Sequence, residues 1–121
     1  MLSIEQIAMA CHEVNKSYCE SIGDNSQPSW RDAPKWQKDS SIDGVIQIIT
    51  YPETTPERSH ESWLAGKIDS GWKYGPIKDE EKKEHPCMVP YSKLPEEQKV
   101  KDYLFNSVCK ALIPYLKKEG E

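Results

Sequence analysis

A chain of 121 residues with a net charge of -4 and a pI near 5.4 has the size of one domain and lacks the basic footprint of a nucleic-acid-polymer binder. Hydrophobic residues make up 36% and charged residues 30%, so the core is lean, but 4 Trp and 6 Tyr supply large rings to fill it. The longest aliphatic run, Val45 to Ile49, is far short of the roughly 18 residues of a membrane span, and no basic-then-apolar leader opens the chain. A cytoplasmic protein with no membrane contact is expected.

Ser3-Ile4-Glu5-Gln6 has the form of a capping box, and Ile4, Ile7, Ala8, Cys11, Val14 and Tyr18 follow at three- to four-residue spacing. This predicts an amphipathic helix of about four turns, ended by Gly23. His12, beside that stripe, reads as a surface or helix-packing residue. A loop with Pro28, Trp30 and Pro34 follows. Residues 36–50 support two readings. Gly44 and the cluster Val45, Ile46, Ile48 and Ile49 suit a short buried strand, whereas the spacing of Trp36, Ile42, Val45 or Ile46, and Ile49 suits a helix slightly better. Thr54-Thr55-Pro56-Glu57 combines a Thr cap, Pro at the first helical position and an acid in the first turn, predicting a helix to about Ser70 that stops at Gly71. From Gly71 to Tyr91, three prolines, two glycines and the charged run Lys78 to Glu84 predict an ordered but irregular loop. Leu94-Pro95-Glu96-Glu97 opens a last helix with the stripe Val100, Tyr103, Leu104, Val108, Ala111 and Leu112, and Pro114 kinks or ends it. The expected fold is mainly α: about four helices and a long Trp/Pro/Gly-rich loop, with a core over about 5–113 and a short charged C-terminal tail.

Cys11, Cys19, Cys87 and Cys109 contain no CxxC pair, and His12, His60 and His85 lie in separate segments. Reduced thiols, no metal site and no cofactor are expected. Cys87 follows His85 with Pro86 between them, which is weak ground for a catalytic pair, and neither a P-loop nor a GxGxxG is present. The concentrated signal runs from His60-Glu61-Ser62-Trp63 to Gly71-Trp72-Lys73-Tyr74-Gly75-Pro76. Two tryptophans with Lys67, Lys73 and Lys78 interleaved could form an aromatic platform that stacks a planar ring and meets phosphate. The competing reading places both rings in the core. It is favoured for Trp72, which follows the helix-ending Gly71, and is evenly balanced for Trp63.

In order along the chain, Cys11-His12-Glu13-Val14-Asn15, Gly23-Asp24, Trp30, Trp36-Gln37, the His60–Trp63 motif, Gly71-Trp72-Lys73-Tyr74-Gly75-Pro76, Lys78-Asp79, His85-Pro86-Cys87-Met88-Val89-Pro90-Tyr91 and Leu94-Pro95 resemble the ryanodine-receptor repeat domain. Met88 stands where the family shows another aliphatic residue. The resemblance covers about 5–113 and implies a peripheral regulatory module, not a channel and not an enzyme, of the free-standing single-repeat type found in bacteria and their viruses. It also implies a cleft associated with adenine nucleotide, lined by the tryptophan corresponding to Trp63. The expected function is therefore a non-enzymatic module sensing a nucleotide or related small molecule. Trp63 would stack the base, His60 and Tyr74 would hydrogen-bond, and Lys67 or Lys78 would meet phosphate. The alternative is a protein-interaction or assembly module with no small-molecule ligand. Because receptor repeats lie side by side, a single repeat is expected to pair with itself as a homodimer.

Overall fold

The Ser3 capping box forms: the Ser3 hydroxyl accepts from the Gln6 N–H at 3.1 Å, and the Gln6 side chain accepts from the Ser3 N–H at 2.8 Å. It starts α1, Ile4–Ser21, and Gly23 follows in the left-handed region at φ +88°. The structure is a computed structural model that describes residues 1–117. α2 is Lys35–Thr50, α3 is Pro56–Asp69 and α4 is Glu96–Leu112. The ambiguous second segment is thus helical. Val45 and Ile48 turn fully inward while Ile46 points outward, a three-residue alternation that a strand would not produce. α3 begins as its sequence predicts, with Thr55 accepting from the Arg58 N–H at 3.2 Å and Pro56 in the first turn.

α1 is the central helix, packed on both α4 and α2, and α3 covers α4 and α2 from the other side. Ile7, Ala8, Cys11, Trp30, Val45, Ile48 and Cys109 form the core. The Cys11–Asn15 motif ties this layer together. Cys11 is core, His12 donates from Nε2 to the Pro28 carbonyl at 2.7 Å, and Glu13 accepts from the Trp30 N–H at 2.8 Å. Asn15 donates to the Lys101 carbonyl at 3.3 Å. Trp30 is therefore a core ring with its edge to His12.

Two expectations need correction. The apolar stripe assigned to α4 holds only in part: Val108 and Leu112 pack against the core, but Tyr103 is 62% exposed, and the buried residues are Asn106 and Cys109, which the stripe did not include. α4 must face α1 and α3 at once, and the Asn106 amide donates to the Thr54 carbonyl at 3.0 Å, so a polar residue occupies the seam. The segment between α3 and α4 is also not wholly irregular. It carries β1, Lys73–Tyr74, paired in parallel with β2, Glu84–His85, in the register Lys73↔Glu84 and Tyr74↔His85, and then a 3-10 turn at Tyr91–Lys93. At the C-terminus, Ile113–Tyr115 forms a 3-10 turn and Leu116 bridges Leu2, so ordered pairing continues past 113. The charged tail expected there falls largely outside the described residues.

Asn106→Ala should destabilise the domain by about 1–3 kcal/mol, because the buried Thr54 carbonyl loses its donor. Urea unfolding followed by circular dichroism measures this; an unchanged midpoint would show that the seam does not depend on the bond.

Candidate ligand-binding site

Gly71, at φ +87°, turns the chain back after α3, and Trp72 then falls beside Trp36 of α2. The two indoles lie 5.8 Å apart between centroids and tilt by 46°. Lys67, one turn earlier on α3, places Nζ 4.3 Å from the centre of Trp36 and 4.6 Å from that of Trp72. Lys78, in the connection from β1 to β2, places its Nζ 4.9 Å from Trp36. An ammonium over an indole face is attracted by the ring quadrupole, most strongly where water is partly excluded. Lys67 is 8% exposed as a residue. Burial, reinforced by the Lys78 charge, pushes its pKa below the ordinary lysine value. Much of Lys78 is open to solvent, but its ammonium end lies against Trp36, and partial burial there likewise lowers its pKa. Among the described residues, neither has a carboxylate within ion-pair distance, although the field of Glu80 reaches both.

The rings continue inward. His85 of β2 meets Trp63 edge-on at 5.1 Å and Trp72 at 6.4 Å, and Trp63 stacks on His60 at 5.5 Å. His60 is 3% exposed. A carbonyl can only accept, so His60 Nε2 donates to Val89 at 2.8 Å, leaving Nδ1 facing Asp102 Oδ2 at 3.6 Å. That carboxylate oxygen has no hydrogen-bond partner among the described residues, and burial raises the Asp102 pKa to about 6, against the opposing pull of His60 and then Lys101. Burial first, then Lys78 and Lys67, pushes His85 down to about 4, so its imidazole is neutral at physiological pH.

Four of the five residues expected at a site therefore surround one aromatic cluster: His60 and Trp63 at its inner end, Lys67 and Lys78 at its outer end. Tyr74 is 58% exposed on β1 and makes no ring contact with the cluster among the described residues. Trp72, expected in the core, is half-buried in this cluster instead, because the reversal at Gly71 carries it to Trp36 and away from the α1 layer. Trp36 and His85 are the members that sequence reasoning passed over as platform residues. The His85–Cys87 neighbourhood is structural in form: the Cys87 N–H donates to His85 Nδ1 at 3.0 Å, and burial pushes the Cys87 thiol up, away from an activated thiolate.

The sequence profile of the RyR domain matches residues 46–115, more than half the chain. The chain belongs to the RyR domain family. Its family-matched part supplies α3, both strands and α4. Trp36, the ring that both lysines approach, precedes the matched segment and reaches the cluster from α2.

Gly75 shows how tightly this segment is built. Its N–H bonds the His85 carbonyl at 3.3 Å, and a Cβ there would sit 2.5 Å from the Glu84 Cβ. Gly75→Ala should force β1 and β2 apart and cost about 1–3 kcal/mol, as overpacking does. Its His85 ring resonances should also shift in NMR spectra; wild-type stability with unmoved His85 signals would contradict the packing.

Proposed function

We propose that this RyR domain is a non-enzymatic regulatory module that binds a nucleotide or a related phosphorylated aromatic molecule at the Trp36–Trp72–Trp63 cluster. The observation that carries the reading is the pair of lysines, Lys67 and Lys78, set on indole faces with no carboxylate within ion-pair distance among the described residues. Charges kept from ordinary partners and from full hydration are suited to an anion, and the neighbouring half-buried indoles are suited to a planar ring. Trp63 has His60 stacked on one side, so a base would use its other side or the outer rings Trp36 and Trp72. The absence of an activated nucleophile at Cys87 supports a binding role over a catalytic one. The motif resemblance supports a cytoplasmic single-repeat protein of the bacterial or phage type as part of the same reading.

One observation favours a second reading. Ile68, Tyr74 and Ile77 are 59%, 58% and 76% exposed on the segments that carry the cluster. Such residues would suit an assembly surface, including a two-fold homodimer, in which the domain has no small-molecule ligand.

Thermal unfolding with adenine nucleotides separates the two. At a hundred times its dissociation constant a ligand adds about 2.7 kcal/mol of stability, and Trp36→Ala should abolish that gain. No stabilisation by any nucleotide at millimolar concentration, with a dimer by sedimentation at tens of micromolar, would replace the first reading with the second.

A further inference from the structure

His60 has one ring nitrogen committed and one free. Nε2 donates to the Val89 carbonyl at 2.8 Å, and Nδ1 faces Asp102 Oδ2 at 3.6 Å, too far for a hydrogen bond. Oδ2 is closed off from water and has no donor among the described residues. An imidazole that carries its hydrogen on Nε2 presents a lone pair at Nδ1, so with Asp102 ionised two acceptors point at each other. One added proton turns that opposition into a bond, whichever atom holds it. An imidazolium N–H would donate to the carboxylate, or a carboxyl O–H would donate to the imidazole. The gap would then close to roughly 2.5–2.9 Å. The Asp102 side chain as a whole is 26% accessible, so the carboxyl group can exchange a proton with solvent. Of the other groups around the pair, Lys101 on α4 favours the ionised carboxylate, and burial keeps the Cys87 thiol and the Tyr91 phenol uncharged. Lys99 lies over the Tyr91 ring, and His85 stands beyond Trp63. Burial also raises Asp102 itself to about 6, as befits a carboxylate oxygen without a donor.

We propose that His60 and Asp102 form an acid-operated latch between α3 and α4, which closes on taking up one proton and so fixes the position of Trp63. The link to Trp63 is direct, because its indole stacks on the His60 ring at 5.5 Å and 29°. Its contact with His85 at 5.1 Å carries the connection on towards Trp72. Drawing Nδ1 towards α4 moves the ring on which Trp63 rests, while the Val89 carbonyl holds the opposite nitrogen. The latch works whether or not the aromatic cluster takes a ligand.

An NMR titration of the intact chain from about pH 8 to about pH 5 tests it, with Asp102→Asn as the second sample. In the wild type, the His60 ring nitrogens, the Asp102 carboxyl carbon and the Trp63 indole N–H should move together through one midpoint, close to the Asp102 value of about 6. His85 titrates lower, at about 4, so its contact with Trp63 does not move the signal over that range. The Asp102→Asn amide can donate to Nδ1 without a proton from solvent, so Trp63 should keep its acid position at every pH. Because folding raises the Asp102 pKa, the wild type gains stability from this group as pH falls through about 6. Asp102→Asn should therefore melt about 4 °C or more above the wild type at the alkaline end, with the gap closing at the acid end. Separate midpoints for His60 and Asp102, or a Trp63 signal that does not follow them, would overturn the latch. So would an Asp102→Asn sample whose Trp63 still titrates, or one without the thermal gain. The wild-type titration decides the matter if the variant fails to fold.

Discussion

An ammonium group held between two indoles is the constraint on which this site depends. Lys67 could reach water by rotating away from α3, but Trp36 and Trp72 close on it from two elements, and Lys78 approaches the same Trp36 face. The rings partly replace the hydration that the cations lose, and the rest of the cost shows as depressed basicity. Lys67 ionises less readily in the fold than in the unfolded chain. The unfolded state therefore binds more protons just below the ordinary lysine value, and stability from this group rises as pH climbs through the depressed value. A bound anion would favour the charged form and reverse that penalty.

The fold exists, in this respect, to bring three distant segments together. α2 contributes Trp36, α3 contributes Lys67, Trp63 and His60, and the β1–β2 segment contributes Lys78 and His85. Asn106 fixes the turn that launches α3 by holding the Thr54 carbonyl, Gly71 reverses the chain onto Trp36, and the close contact at Gly75 sets β1 against β2. The His60–Asp102 pair anchors the inner end, where Val89 takes the imidazole's other nitrogen. Polar groups thus position a site that the lean aliphatic core, centred on α1, leaves to one side.

Much of the architecture was legible because it is local. Ser3 with Gln6 and Thr55 with Pro56 mark helix starts through bonds within a single turn, and Gly23 and Gly71 mark stops through a backbone region that glycine enters easily. The α4 stripe was read only in part: Val108 and Leu112 do face the core, but one buried position, Asn106 on Thr54, is a polar seam that no apolar count can register. The parallel β1–β2 pair escaped for a similar reason: its strands are two residues long, and its pairing is non-local. His60, Trp63, Lys67 and Lys78 could be flagged from aromatic and basic residues clustered in sequence. Trp36 could not be joined to them, since its distance from Trp72 depends on how α2 packs on α3.

The most direct measurement is an NMR titration of the Lys67 side-chain nitrogen in the intact chain, with and without ATP. The account predicts that Lys67 ionises below the ordinary lysine value of 10.5, with its Nζ-bearing methylene shifted by the ring currents of Trp36 and Trp72, and that ATP raises its pKa. An ordinary pKa, no ring-current shift and no response to ATP would contradict it.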